Sequence, residues 1–244
     1  MNMKRFFMTA LLGAACACAS ATPIVGVFTG ADAGEGLDLS GTFTHALTMY
    51  SPANNTKVGD ATFQYYGSAP GVTTAAGNLN VSWYTPDYGT SAADNGLELV
   101  MHSLIWSNAA NSATGQVLTL TMNDLVVGQT YKFQLMFAEQ GFNRGFDVFQ
   151  DNVKIVDDFS PWKVAGMYNG RQSALITNEF VATSSTLSIG FGGTAAGFSD
   201  NNPILSAFTL ENVGGAVNVP EPGSLALLLA GAGLLGFARR ARRI

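Results

Sequence analysis

"TYKFQLMFA", residues 130–138, alternates with a period of two. Tyr131, Phe133, Leu135 and Phe137 fall on one side, and Lys132, Gln134 and Met136 on the other. Successive side chains of an extended chain point to opposite faces, so this pattern predicts a half-buried β-strand with Phe133 in the core and Gln134 on a wet face. The same signature recurs in "STLSIGFGG" (185–193), "GQVLTLTM" (115–122), "GDATFQYY" (59–66), "NLNVSWY" (78–84) and "NPILSAFTLENV" (202–213). Gly, Asn, Asp, Ser and Pro fill the gaps, as turns require. "GLELVMHSLIW" (96–106) reads as either a strand or a short helical piece. No long amphipathic helix and no βαβ spacing interrupts the strands. The fold class is therefore all-β, an antiparallel β-sandwich of jelly-roll type.

The two ends differ from this middle. "MNMKRFFMTALLGAACACASATP" opens on Lys4 and Arg5, continues apolar and reaches the small residues Ala19, Ser20 and Ala21. This is the pattern of a signal peptide over 1–21. Both cysteines, Cys16 and Cys18, fall inside it, so the mature chain has no disulfide and no thiol chemistry. The other end reads "VPEPGSLALLLAGAGLLGFARRARR" (219–243). Pro220 and Pro222 break any preceding strand, and Ser224 can cap a new helix. Leu225 to Ala238 is uncharged, and Arg239, Arg240, Arg242 and Arg243 follow as a stop-transfer cluster. The run predicts a short transmembrane helix, shorter than the roughly 20 residues of an ordinary span. Residues 22–218 are left as one β-sandwich domain, and 219–244 as a sorting segment.

The tail resembles the PEP-CTERM sorting signal of Gram-negative bacteria in three parts: Val219–Pro220–Glu221–Pro222, the apolar run and the arginine cluster. The resemblance implies recognition and cleavage by an exosortase-type protease. It also implies an inner-membrane-anchored precursor that passes to the cell surface or the exopolysaccharide matrix. A second resemblance lies in "GQTYKFQLMFAEQGFNRGFDVFQDNVKIVDDFSP" (128–161). Its strand ending in Phe137–Ala138–Glu139, the Arg144-to-Val148 strand and the Asp158–Phe159 element are similar to malectin and malectin-like carbohydrate-binding modules. That similarity implies a galactose-binding-like sandwich that binds sugars.

Charge narrows the function. Between residues 22 and 219 six basic residues face sixteen acidic ones, a formal charge of −10. A nucleic-acid ligand needs a basic surface, so that class is excluded. Asp32, Glu35 and Asp38 bunch in a glycine-containing loop and are the candidate ligands for Ca²⁺, which takes hard oxygen donors. Asp157 with Asp158, and Asp200 with Asn201 and Asn202, are further oxygen-rich turns. His45 and His102 sit in apolar segments and read as structural. No nucleophile elbow or zinc-binding helix motif is present, and no catalytic residues are assigned.

Sugar sites stack aromatic rings on sugar faces and add polar groups from loops. The rings placed near turns are Trp83, Tyr84 and Tyr88 in "SWYTPDYGTSAADNG" (82–96), with Tyr65, Tyr66 and Trp162 elsewhere. The expectation is a non-catalytic carbohydrate-binding module for an extracellular polysaccharide. The alternatives are a structural matrix protein without a discrete ligand, or a secreted glycan hydrolase with two convergent carboxylates.

Overall fold

A computed structural model describes residues 21–214, apart from 113, 114, 140 and 167–169. The strands run β1 (Ile24–Phe28), β2 (Phe43–Thr48), β3 (Thr56–Val58), β4 (Ala61–Tyr65), β5 (Val72–Ala76), β6 (Leu79–Trp83), β7 (Ser103–Ser107) and β8 (Gln116–Met122). They continue with β9 (Thr130–Phe137), β10 (Phe146–Gln150), β11 (Val153–Phe159), β12 (Ser173–Val181), β13 (Leu187–Gly192), β14 (Ile204–Leu205) and β15 (Ala207–Gly214). Two short helices, α1 (Ala92–Val100) and α2 (Pro161–Val164), join them.

The expected antiparallel jelly-roll sandwich is corrected: among the described residues the strands form three open sheets. Seven strands pair in the order β1-β12-β9-β15-β2-β4-β3, five in the order β11-β10-β13-β8-β5, and three in the order β14-β7-β6. The third sheet arises at Gly77 and Asn78, where the chain leaves β5 and β6 pairs with β7 instead, Val81 opposite Ile105. Pairing is also not antiparallel throughout. Pro52 lacks an N–H and ends the extended run after β2 in a turn of 3₁₀ helix. The chain then returns through β3, and β4 lies parallel to β2.

β9 occupies the middle of the large sheet, between β12 and β15. Its odd residues pack against the five-stranded sheet, where Phe133, Leu135 and Phe137 share one core with Leu120, Val148, Ile189 and Phe191. The period of two holds, but the other face is not wet. Met136, with Leu175 and Ala207 of the neighbouring strands, lies in a second core with Phe28, Leu39, Leu97 and Val100. Gln134 is buried too. The cover comes from α1 and from the loops around it. Ser91 caps α1 by accepting from Asp94 N (3.0 Å), and Leu97 and Val100 turn the buried face inward. "GLELVMHSLIW" thus splits: the helix runs to Val100 and β7 starts at Ser103.

Among the described residues no helix is long and apolar enough to cross a membrane. The predicted span, Leu225–Ala238, and the arginine cluster lie outside the described residues, as does the signal peptide through residue 20. The expected transmembrane helix and inner-membrane-anchored precursor thus find no support among the described residues.

Candidate functional site

Of the three rings in "WYTPDYG", two turn inward. Tyr84 N donates to His102 O (2.8 Å), which ties the segment after β6 to the start of β7. Tyr84 is then 2% exposed and Tyr88 8%, both within the second core. The Tyr88 and Ser173 hydroxyls are 2.6 Å apart, and the Tyr88 ring lies 5.5 Å from that of Phe28. Burial pushes the Tyr84 hydroxyl up and the Tyr88 hydroxyl well up. Neither ring can stack on a surface ligand, so both are core residues rather than the predicted platform. Tyr65 and Tyr66 pack edge to face at 4.8 Å, with Tyr66 against the main core and its hydroxyl pushed up to about 12 by burial. Trp162 is half-buried in α2.

Trp83 is the ring that reaches solvent. It is 64% exposed, braced edge-on by Tyr50 at 5.4 Å and by His102 at 5.7 Å. It lines a cleft of about 290 Å³ together with Tyr84, Trp106, Glu139, Phe142 and Arg144. Phe142 is 60% exposed. Tyr65, Tyr66 and Trp162 do not line this cleft.

The turn from β9 to β10 builds the other wall. Glu139 Oε2 meets Arg144 Nε at 2.7 Å, with both side chains buried. Glu139 Oε1 accepts from the backbone N–H groups of Gly141 and Phe142 (both 3.2 Å). Arg144 Nη1 donates to Asn202 O (3.2 Å), and Asp200 lies 3.9 Å from Nη2. The guanidinium also sits 4.8 Å from the Phe142 ring centroid. One buried ion pair thus holds the turn that presents Phe142. Sequence reading noted Glu139 and Arg144 only as part of a family pattern, and missed Phe142 and Trp106. The available signal was the pair's spacing across Gly141. An exposed indole and phenyl beside a polar wall suit a ligand with an apolar face and polar edges.

The acidic loop is rearranged relative to expectation. Asp32 and Glu35 converge with Asp94 of α1, their carboxylate oxygens within 4.8 Å of one another. Asp38 lies apart, bonded to Lys132 Nζ at 2.6 Å. Asp94 Oδ1 accepts from Ala31 N (3.0 Å), and Glu35 Oε2 from Asp32 N (2.8 Å). Burial alone would raise the Asp94 carboxyl, but the bonds from Ala31 and Ser91 outweigh it and hold it below its ordinary value. A Cβ at Gly30 would collide with Glu35 Oε2 and Asp94 Oδ1, so only glycine lets the carboxylates converge there. A second group, Asp147, Asp157 and Asp158, already holds a cation of its own. Lys154 Nζ sits 2.6 Å from Asp147 Oδ2 and 2.8 Å from Asp157 Oδ1. Among the described residues two acidic clusters can thus coordinate a metal ion. The first has the hard-oxygen donor set, and among the described residues no ammonium is bonded to it. Burial lowers the His45 imidazole against the opposing charge of Asp124.

The PEP-CTERM protein-sorting motif matches residues 218–243. Among solved structures, the plant receptor-like kinase ANX2 is similar at 12% identity and a TM-score of 0.49, over 69% of this chain and 47% of that one. A Bacteroides uniformis β-glucuronidase is similar at 15% identity and a TM-score of 0.46, over 69% of this chain and 18% of that one. CBM35 from Paenibacillus barcinonensis is similar at 14% identity and a TM-score of 0.34, over 58% of this chain and 92% of that one. The chain spans about half or less of the length of the first two. A search of curated proteins gave no match. The chain therefore joins a PEP-CTERM sorting motif to an all-β domain of three open sheets.

Proposed function

We propose that the protein is exported and binds an extracellular polysaccharide without transforming it, through the cleft between Trp83 and Phe142. The observation that carries this reading is the pair of exposed rings set beside a cleft whose polar wall is a buried, engaged Glu139–Arg144 pair. Pyranose rings have apolar faces that stack on aromatic side chains, and hydroxyl edges that meet polar groups. Hydrolysis of a glycoside uses two carboxyl groups flanking the bond. The one carboxylate among the described residues lining the cleft, Glu139, is already held by Arg144, so a binding role fits better than a catalytic one.

Export rests on the predicted signal peptide and the sorting motif, with an exosortase-type protease as the processing partner. Ca²⁺ is the proposed occupant of the Asp32, Glu35 and Asp94 cluster, where it would tie the loop after β1 to α1. One observation favours a second reading, a structural matrix protein. Leu79 and Val81 are exposed on β6, an edge strand, and such edges suit association between chains.

The test is a panel of immobilised polysaccharides offered to the purified protein. Saturable retention on at least one is expected. A folded protein that passes through all of them, while its mass in solution grows with concentration, would replace this reading with the second.

A further inference from the structure

We infer that the cleft selects an uncharged polysaccharide and rejects uronic-acid or sulfated polymers. This rests on the polysaccharide-binding reading above and names the chemical class of its ligand. A carboxylate or sulfate is held most strongly by a cation with free donors and uncompensated charge. Among the described residues lining the cleft, Arg144 is the sole cation. Its Nε is committed to Glu139 at 2.7 Å, its Nη1 to Asn202 O at 3.2 Å, and its Nη2 faces Asp200 at 3.9 Å. Its side chain is 7% exposed, and the Phe142 ring lies 4.8 Å from its guanidinium carbon. Two carboxylates therefore stand against one guanidinium, and the cleft has no positive charge to offer.

The surroundings act in the same direction. The formal charge of residues 22–219 is −10, which repels a polyanion before any contact forms. Lys132 is held by Asp38 and Glu211 and Lys154 by Asp147 and Asp157, while Lys57, Lys163 and Arg171 do not line the cleft. The recognition groups the cleft does offer, the Trp83 and Phe142 rings, are neutral. Glu139 thus has a specificity role besides its structural one, since it cancels the charge that would attract an acidic sugar.

The experiment compares retention of the purified protein on neutral polymers (galactomannan, laminarin, xyloglucan) and on polygalacturonate and alginate. It is run at low salt and again at about 0.5 M salt, where screening is short-ranged. The expected result is retention on a neutral polymer at both salt levels and none on the uronates at either. Salt-sensitive retention on a uronate would overturn the inference while leaving polysaccharide binding intact. Retention on neither class would overturn both. A second arm uses Glu139→Gln, which keeps an acceptor for the Gly141 and Phe142 N–H groups but removes the charge. A folded variant should gain retention on polygalacturonate at low salt, on the order of tenfold, and lose the gain at high salt. A folded variant with no gain would contradict the role given to Glu139. If the variant does not fold, the wild-type comparison decides the assignment by itself.

Discussion

Gln134 pairs its side-chain amide with the backbone of Asp38: Nε2 donates to Asp38 O at 2.6 Å, and Oε1 accepts from Asp38 N at 3.0 Å. Nε2 also donates to Thr209 Oγ1 at 3.1 Å. A side chain from a central strand thereby takes the place of a neighbouring strand for the loop that leads to β2. Phe133, one residue earlier, packs in the apolar core on the opposite face.

Both residues should therefore matter for stability. Phe133→Ala leaves a cavity and should cost about 3–5 kcal/mol. Gln134→Ala removes three hydrogen bonds made by a buried amide, two to the Asp38 backbone and one to the buried Thr209, and should cost about 1–3 kcal/mol, well above a surface substitution. Urea titrations of both variants check this. A negligible loss for Gln134→Ala would mean that the covered face is wet after all.

Tyr88 should behave as a core residue. Tyr88→Ala should cost about 3–5 kcal/mol, and Tyr88→Phe, which loses only the bond to Ser173, about 1 kcal/mol. Thermal unfolding separates the two. An unchanged midpoint for Tyr88→Ala would place the ring at the surface.

Much of the fold was legible, and the reason is local. β9, β13 and β15 keep a strict period of two, so their core residues could be read directly. The second layer was not legible, because it comes from residues remote in the chain. Asp38 reaches Gln134, and Leu39 and Leu97 reach the core that holds Met136. The same remoteness hid the sites. Asp32, Glu35 and Asp38 are close in sequence, yet the third carboxylate of the cluster is Asp94, and Asp38 serves Lys132 instead. Tyr84 and Tyr88 stand among turn residues, which suggested exposure, but the segment runs over the large sheet beside α1 and both rings are buried. Trp83, the last residue of β6, is the ring of that group that reaches solvent.

Acid should weaken the loop before β2. The Lys132 ammonium holds the Asp38 carboxyl below its ordinary 3.8. A carboxyl depressed in the folded state adds stability above its unfolded value, and the contribution is lost as pH falls through the lower folded value. Stability should thus decline below about pH 4 in the wild type, and Asp38→Asn should flatten part of that decline. Denaturant midpoints measured at several pH values check it. A parallel decline in the variant would assign the acid sensitivity to other groups.

Ca²⁺ should stabilise the domain through Asp94. At about a hundredfold excess over its dissociation constant the gain should be about 2.7 kcal/mol, seen as a raised melting midpoint that a chelator reverses. Asp94→Asn should abolish the shift. Asp157→Asn should not, because Lys154 already occupies that cluster. A Ca²⁺ shift that survives in Asp94→Asn would move the site elsewhere.

The central claim is tested most directly by retention of the Trp83→Ala, Phe142→Ala double variant on the polysaccharide that holds the wild type. Both rings are mostly exposed, so the variant should melt within about 1 kcal/mol of the wild type. Its affinity for the polymer should fall by about tenfold or more, equivalent to about 1.4 kcal/mol. A folded double variant that binds as tightly as the wild type would contradict the cleft as the binding site.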